Sequence, residues 1–430
     1  MSTAPRSAAP IGGMPMGSNA LLAGEHFAAA ACFLIAGSIG LVVIAPELSI
    51  GAYPSPHVAG VTHLFTLGWL TTAIFGAFYQ LLPVALDAPI RFPRLGHVSF
   101  AALVPGVASF AWGVMTSSTV LHHVGICLIA IGILITTFNI GWSVARAGRR
   151  DETWAAVIVA LTMLCSTLVL GGVLLHNLHT GFLASARVRV LAIHLHVALV
   201  GWVLVTIVGM SHRLLPMFLL AHGIDMRWTR RALALLALGV ITLATGLATG
   251  VAAVTWIGVA LIEGGVVAFL VQARIFFRAR IRRQLDVGMR FAAVGLYLLA
   301  AAAALGPFVL SFGASSPRLA TAYVALGLLG GIVLYVAGYF YKIVPFLVWI
   351  ARFHGRMGKG RVPAVADLYA ARVAHIQLFT MSAGVVAIFT GVLAGQGHCT
   401  RAGAALFLAG VLLFGVQGAR LATAPAEDAS

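Results

Sequence analysis

The sequence predicts an all-α integral membrane protein in which twelve transmembrane helices form three four-helix repeats. Three observations carry this. Of 430 residues, 61% are hydrophobic and only 9% charged, with a mean hydropathy of +1.02, a composition foreign to soluble domains. Apolar spans of roughly 20 residues, the length that crosses a hydrocarbon core of about 30 Å, recur along the whole chain. A motif of His, Gly-Trp, Gly and Leu-Pro also returns in helix 6 at an offset of 133 residues from helix 2, and fixed periods mark repeat architectures. Alternating strand patterns are absent, which argues against a barrel.

In chain order, residues 1–26 are rich in Gly, Ala, Pro and Met with a single arginine. They lack the basic start and apolar core of a cleaved signal and are expected to form a flexible tail. Met14 and Met16 are weak candidates for soft copper contacts there. A single membrane domain, 27–420, follows. Its first repeat, 27–150, holds spans near 27–46, 57–84, 97–116 and 119–146. The second, 151–285, holds 153–177, 190–220, 231–251 and 253–276. The third, 286–420, holds 289–312, 317–350, 371–395 and 400–420, and 421–430 is a short C-terminal tail.

The loops orient the chain. The net charge of +16 is concentrated after the even-numbered spans, in Arg91 and Arg94, in Arg146 to Arg150, in Arg227 to Arg231, in Arg274 to Arg290 and in Arg352 to Arg372. The opposite loops hold only Arg187, Arg189, Arg318 and Arg401. This is the positive-inside pattern, and it predicts a bacterial-type inner-membrane protein with both termini in the cytoplasm. The basic runs are topology signals and anionic-lipid contacts, not a nucleic-acid groove. Cys32, Cys127, Cys165 and Cys399 form no CxxC or CxxCH, so covalent heme attachment and a thiolate zinc site find no support.

Helix 2 carries His63, Gly68-Trp69, Gly76, Tyr79 and Leu82-Pro83; helix 6 carries His196, Gly201-Trp202, Gly209, His212 and Leu215-Pro216 in the same frame. Helix 10 keeps Gly330, Gly338, Tyr341 and Pro345, with Ala325 at the histidine position. The glycines suit close helix–helix approach. Gln80, Arg213 and Lys342 share one position near the cytoplasmic end, where snorkelling to the headgroups is the first explanation of the charges and a channel role the second. Glu263, near the middle of helix 8, is the only acidic side chain at depth and is by default a functional candidate.

Nine of the fifteen histidines fall on the outer side: His57, His63, His122, His123, His176, His179, His194, His196 and His398. Neutral imidazole suits iron, copper or zinc. His194 and His196 stand two apart in an apolar span, so they project to nearly opposite sides of one helix and serve two neighbouring pockets. His176 and His179, three apart, share a helix face.

The stretch Ile193-His194-Leu195-His196 to Gly201-Trp202, together with His63, resembles subunit I of the heme–copper oxidase superfamily, chiefly its C-type oxidase and nitric oxide reductase branch. That family has twelve helices in a pseudo-three-fold array, with its His-x-His on the tenth helix rather than the sixth. The chain is therefore similar to a divergent, short member. The resemblance implies one or two b-type hemes, with His196 and His63 on a low-spin heme and His194 on a high-spin heme. Arg187 and Arg189 would meet heme propionates, since arginine forms strong bonds with carboxylates. His176 and His179 would line an open heme face or hold copper. The implied role is electron transfer, or nitric oxide or oxygen binding or reduction, with quinol or a cytochrome as donor; the residues assign no catalytic group and leave open whether the chain is an oxidoreductase. The alternatives are a transporter that uses histidines as transient ligands for a metal or heme, and a non-catalytic structural subunit, for which Ala325 speaks.

Overall fold

A computed structural model describes residues 17–357 and 362–423. Twelve helices are long and apolar enough to cross a membrane, and no β-strand occurs among the described residues. They are α1 (Gly17–Ser49), α2 (Pro56–Ala85), α3 (Pro93–Met115), α4 (Thr119–Ala145), α5 (Glu152–Thr180), α6 (Ala184–Leu219), α7 (Arg227–Thr249), α8 (Ala252–Arg278), α9 (Val287–Phe312), α10 (Pro317–Phe353), α11 (Ala371–Ala394) and α12 (Gly397–Thr423). The helices start on chemistry that satisfies their free N–H groups. Asp151 caps α5 through Thr153 N at 2.9 Å, Asp286 caps α9 through Met289 N at 3.1 Å, and prolines open α2, α3 and α10.

The expected N-terminal tail is shorter than the composition suggests. Gly17–His26 already belong to α1, and Met14 and Met16 lie outside the described residues. Leu22 and Ala23 are fully buried against Gly96 and Gly76, and the Glu25 carboxylate meets His97 at 2.8 Å. This first part of α1 packs on α2 and α3 too closely to be left in water.

α2, α6 and α10 form the interior. About 72% of the apolar window of α2 is buried, against 11% for α9 on the periphery. Each interior helix contains one π-helical stretch: Leu64–Thr71, Val197–Leu204 and Leu326–Val333. The three stretches begin one residue after His63, His196 and Ala325, the positions that the sequence places in one frame. A π turn shifts the helix register and is a frequent mark of functional sites. The hydroxyls of Thr71 and Thr72 reach back five residues to the carbonyls of Thr66 and Leu67 at 2.9 and 3.0 Å. The two wide turns are joined by Trp202 Nε1, which donates to Thr71 Oγ1 at 3.0 Å.

The pairs α3–α4, α7–α8 and α11–α12 are built alike. Glycines seven residues apart face each other on both partners: Gly106 and Gly113 with Gly125 and Gly132, Gly239 and Gly246 with Gly258 and Gly265, Gly384 and Gly391 with Gly403 and Gly410. A Cβ on Gly113, Gly246 or Gly391 would lie 2.4, 2.4 or 2.6 Å from the backbone nitrogen of His122, Thr255 or Thr400. Only hydrogen fits there, which is how small residues let membrane helices associate.

Candidate functional site

His63 closes the α segment of α2 just before its π turn, and His194 stands two residues before the matching point on α6. Both rings line one cavity between α2, α3, α4, α5 and α6. Its walls are Leu67, Phe110, Ile129, Leu168 and Trp202 together with other apolar groups and threonines, and no charged side chain reaches them. The two imidazole centroids are 6.3 Å apart with ring planes inclined by 38°, and Phe110 stands edge-on to His63 at 5.1 Å.

The nitrogens of these rings are not equivalent. His63 Nδ1 donates to the Ala59 carbonyl at 2.7 Å, which fixes the tautomer and leaves Nε2 as the lone-pair nitrogen. A backbone carbonyl on the second ring nitrogen is the usual support of a metal-binding histidine, although a helical histidine finds its own i−4 carbonyl easily. His194 Nδ1 is buried with no hydrogen-bond partner. A polar atom orphaned in an apolar cavity costs free energy and invites a ligand. His196 Nδ1 donates to Ala192 O at 2.8 Å, and its ring is not on the cavity wall.

His63 therefore faces His194, not His196. The reason is geometric: equivalent positions on two helices point in the same sense about their axes and so into different interfaces. The opposition of His194 and His196 on one helix is as a helix requires, with only the first of them in this cavity.

The other expected site residues are placed elsewhere. Arg187 donates to the Pro54 carbonyl at 3.2 Å and Arg189 lies beside Gly250, both at the N-terminal end of α6 and neither on the cavity wall. His179 meets His122 and His123, whereas the ring of His176 turns to Phe182 at 5.3 Å. His57 is held by Glu47 at 2.9 Å in the turn between α1 and α2. Glu263 faces Gly306 of α9, where a Cβ would come within 2.6 Å of its Oε1.

Snorkelling is not what holds Arg213 and Lys342. Arg213 pairs with Asp151, and Lys342 with Asp286 at 2.5 Å, so each cation meets the acidic N-cap of the preceding helix. Two further features carried no sequence signal. One is the acid–histidine group of Asp151, Glu152 and His212 at the same end. The other is a buried hydroxyl cluster of Ser211, Tyr335 and Tyr339, with contacts of 2.7, 2.8 and 3.2 Å, beside a second apolar cavity between α2, α6 and α10.

No known family profile matches this chain, and no curated protein is similar to it.

Proposed function

We propose that the chain is a membrane hemoprotein, resembling heme–copper oxidase subunit I, that holds a b-type heme between His63 and His194. The observation that carries this is the facing of those two rings across an apolar cavity. Two imidazoles trans on one metal, with nitrogen–metal bonds of about 2.0–2.1 Å and about 1.1 Å from nitrogen to ring centre, have centroids roughly 6 Å apart. The separation of 6.3 Å agrees. Two imidazoles alone leave a bare ion short of ligands. A heme iron needs only axial ligands from the protein, and a bis-histidine heme supplies one-electron transfer when bound.

The chain's own residues would do the rest. Ala59 O orients His63 through Nδ1, the apolar wall excludes water, and Phe110 limits rotation of the His63 ring. His196, outside the cavity, is free for a second group, as the resemblance suggests. Quinol or a cytochrome is the proposed donor, and nitric oxide or oxygen the proposed ligand of any open heme. The positive-inside loops support an inner-membrane location with cytoplasmic termini.

Oxidised and dithionite-reduced optical spectra of the purified protein test this. A sharp α-band is expected on reduction, lost or converted in His63→Ala and in His194→Ala and retained in His196→Ala. A colourless, correctly folded preparation overturns the proposal and favours metal transport or a structural role.

A further inference from the structure

We propose that His122, His123 and His179 form a site for a single divalent transition-metal ion of the copper or zinc type, at the outer end of α4 and α5. The proposal is independent of heme. The three side chains each offer a nitrogen, and these nitrogens all lie within 4.8 Å of one another. The ring centroids are 4.7, 4.8 and 5.1 Å apart. His122 Nε2 and His179 Nε2 are at 2.8 Å, nitrogen facing nitrogen. Two ligands of a tetrahedral ion with bonds of about 2.0–2.1 Å are separated by roughly 3.3 Å, so the pair needs to open by only about half an ångström to admit one.

Each ring is held for the purpose by a different device. His123 Nδ1 donates to Thr119 O at 2.7 Å, the outer-shell bond that leaves Nε2 for a metal. His122 is 1% exposed, with Nδ1 buried and unpartnered. Its backbone is pressed onto Gly113 of α3, so the close α3–α4 contact fixes its depth. His179 lies in the last turn of α5, just before Gly181 ends the helix in the left-handed conformation.

Thr255 and Thr400 occupy the place of His122 in the two other glycine-packed helix pairs. Their hydroxyls close on their own helices, at 3.2 Å to Val251 O and 3.0 Å to Gln396 O. That packing position does not require an imidazole. Where the chain puts one, it meets two more from another turn and another helix.

Three neutral imidazoles make an N₃ donor set, which suits Cu²⁺ and Zn²⁺ and not Mg²⁺ or Ca²⁺. His123 and His179 are exposed, so the fourth position opens outward to water or a small anion, as at zinc sites that exchange ligands. Ile126, one turn inward from His122, lines the His63–His194 cavity, which places the ion close to the outer rim of that cavity.

The test uses full-length protein in detergent, stripped with a chelator and dialysed against Zn²⁺ or Cu²⁺, with electron paramagnetic resonance of the copper form. One ion per chain, with nitrogen hyperfine structure, is expected at this site. His123→Ala and His179→Ala should each weaken it by at least about 100-fold, beyond the ~10–100-fold typical of losing an outer-shell partner. His176→Ala should leave it unchanged. Both informative side chains are exposed, so their variants report even if His122→Ala fails to fold. An ion held at full affinity by the His123→Ala/His179→Ala double variant, or no stoichiometric ion on the stripped wild type, overturns the proposal.

Discussion

Two half-buried cations at one end of the bundle, Arg213 and Lys342, each meet a carboxylate that also caps a helix. Asp151 accepts from Thr153 N and Trp154 N at 2.9 and 3.4 Å through Oδ1, while Oδ2 accepts from Arg213. One carboxylate thus serves an N-cap and an ion pair, and the paired side chains are only 29% and 18% exposed. Asp151→Ala should lower stability by about 1–3 kcal/mol, a lost cap plus a half-buried guanidinium without its partner. Asp151→Asn keeps the cap oxygen and should cost less, and adding Arg213→Met to it should restore part of the loss. Thermal unfolding in detergent reads all three; equal losses in Asp151→Ala and Asp151→Asn would mean that the cap contributes nothing. None of this could be read from spacing, since Asp151 and Arg213 stand 62 residues apart and Asp286 and Lys342 stand 56 apart. A cation at the end of an apolar span looks the same in sequence whether it snorkels or pairs.

At the scale of the element, the π turns decide which residues meet. Without them the α2 and α6 interface would keep a single α register through His63 and His196. With them, Trp202 of one wide turn donates to Thr71 of the other. Thr71→Val keeps the shape and removes the acceptor, leaving a buried indole N–H unpaired at a cost of about 1–3 kcal/mol. Trp202→Phe made on top of Thr71→Val should then cost less than Trp202→Phe alone; strict additivity in this cycle would show that the bond couples nothing. The sequence announced the helices themselves, because length and apolarity suffice for them, and it marked His63 and His194 because imidazoles are expensive at depth. It did not announce the π turns, which are a choice of hydrogen-bond register that leaves composition untouched. The facing of His63 and His194 depends on how the two helices are rotated against each other, so the pairing was out of reach. The glycines seven apart on α3–α4, α7–α8 and α11–α12 were in plain view, and reading them would have exposed the shared packing of those helix pairs.

For the molecule as a whole, the two ends differ in chemistry, and this bears on which face each site serves. One end collects Arg91, Arg146, Arg282, Arg283 and the Asp151–Arg213 and Asp286–Lys342 pairs; the other collects His122, His123, His179, Arg187 and Arg318. Positive-inside asymmetry predicts that the first end lies in the cytoplasm and the histidine end outside, where a metal could reach the three-histidine group without crossing the bilayer. The opposite insertion would present that group to the cytoplasm instead. Single cysteines decide it, in a background with Cys32, Cys127, Cys165 and Cys399 replaced. Ser185, in the opening turn of α6, and Ser315, in the loop before α10, are exposed at the histidine end, and Gln284 is exposed in the loop after α8. In intact cells a membrane-impermeant maleimide should label Ser185→Cys and Ser315→Cys, and should label Gln284→Cys only after permeabilisation. Labelling of Gln284→Cys alone in intact cells would invert the topology. It would leave the cavity and the histidine cluster in place but reverse the side of the membrane that each one faces.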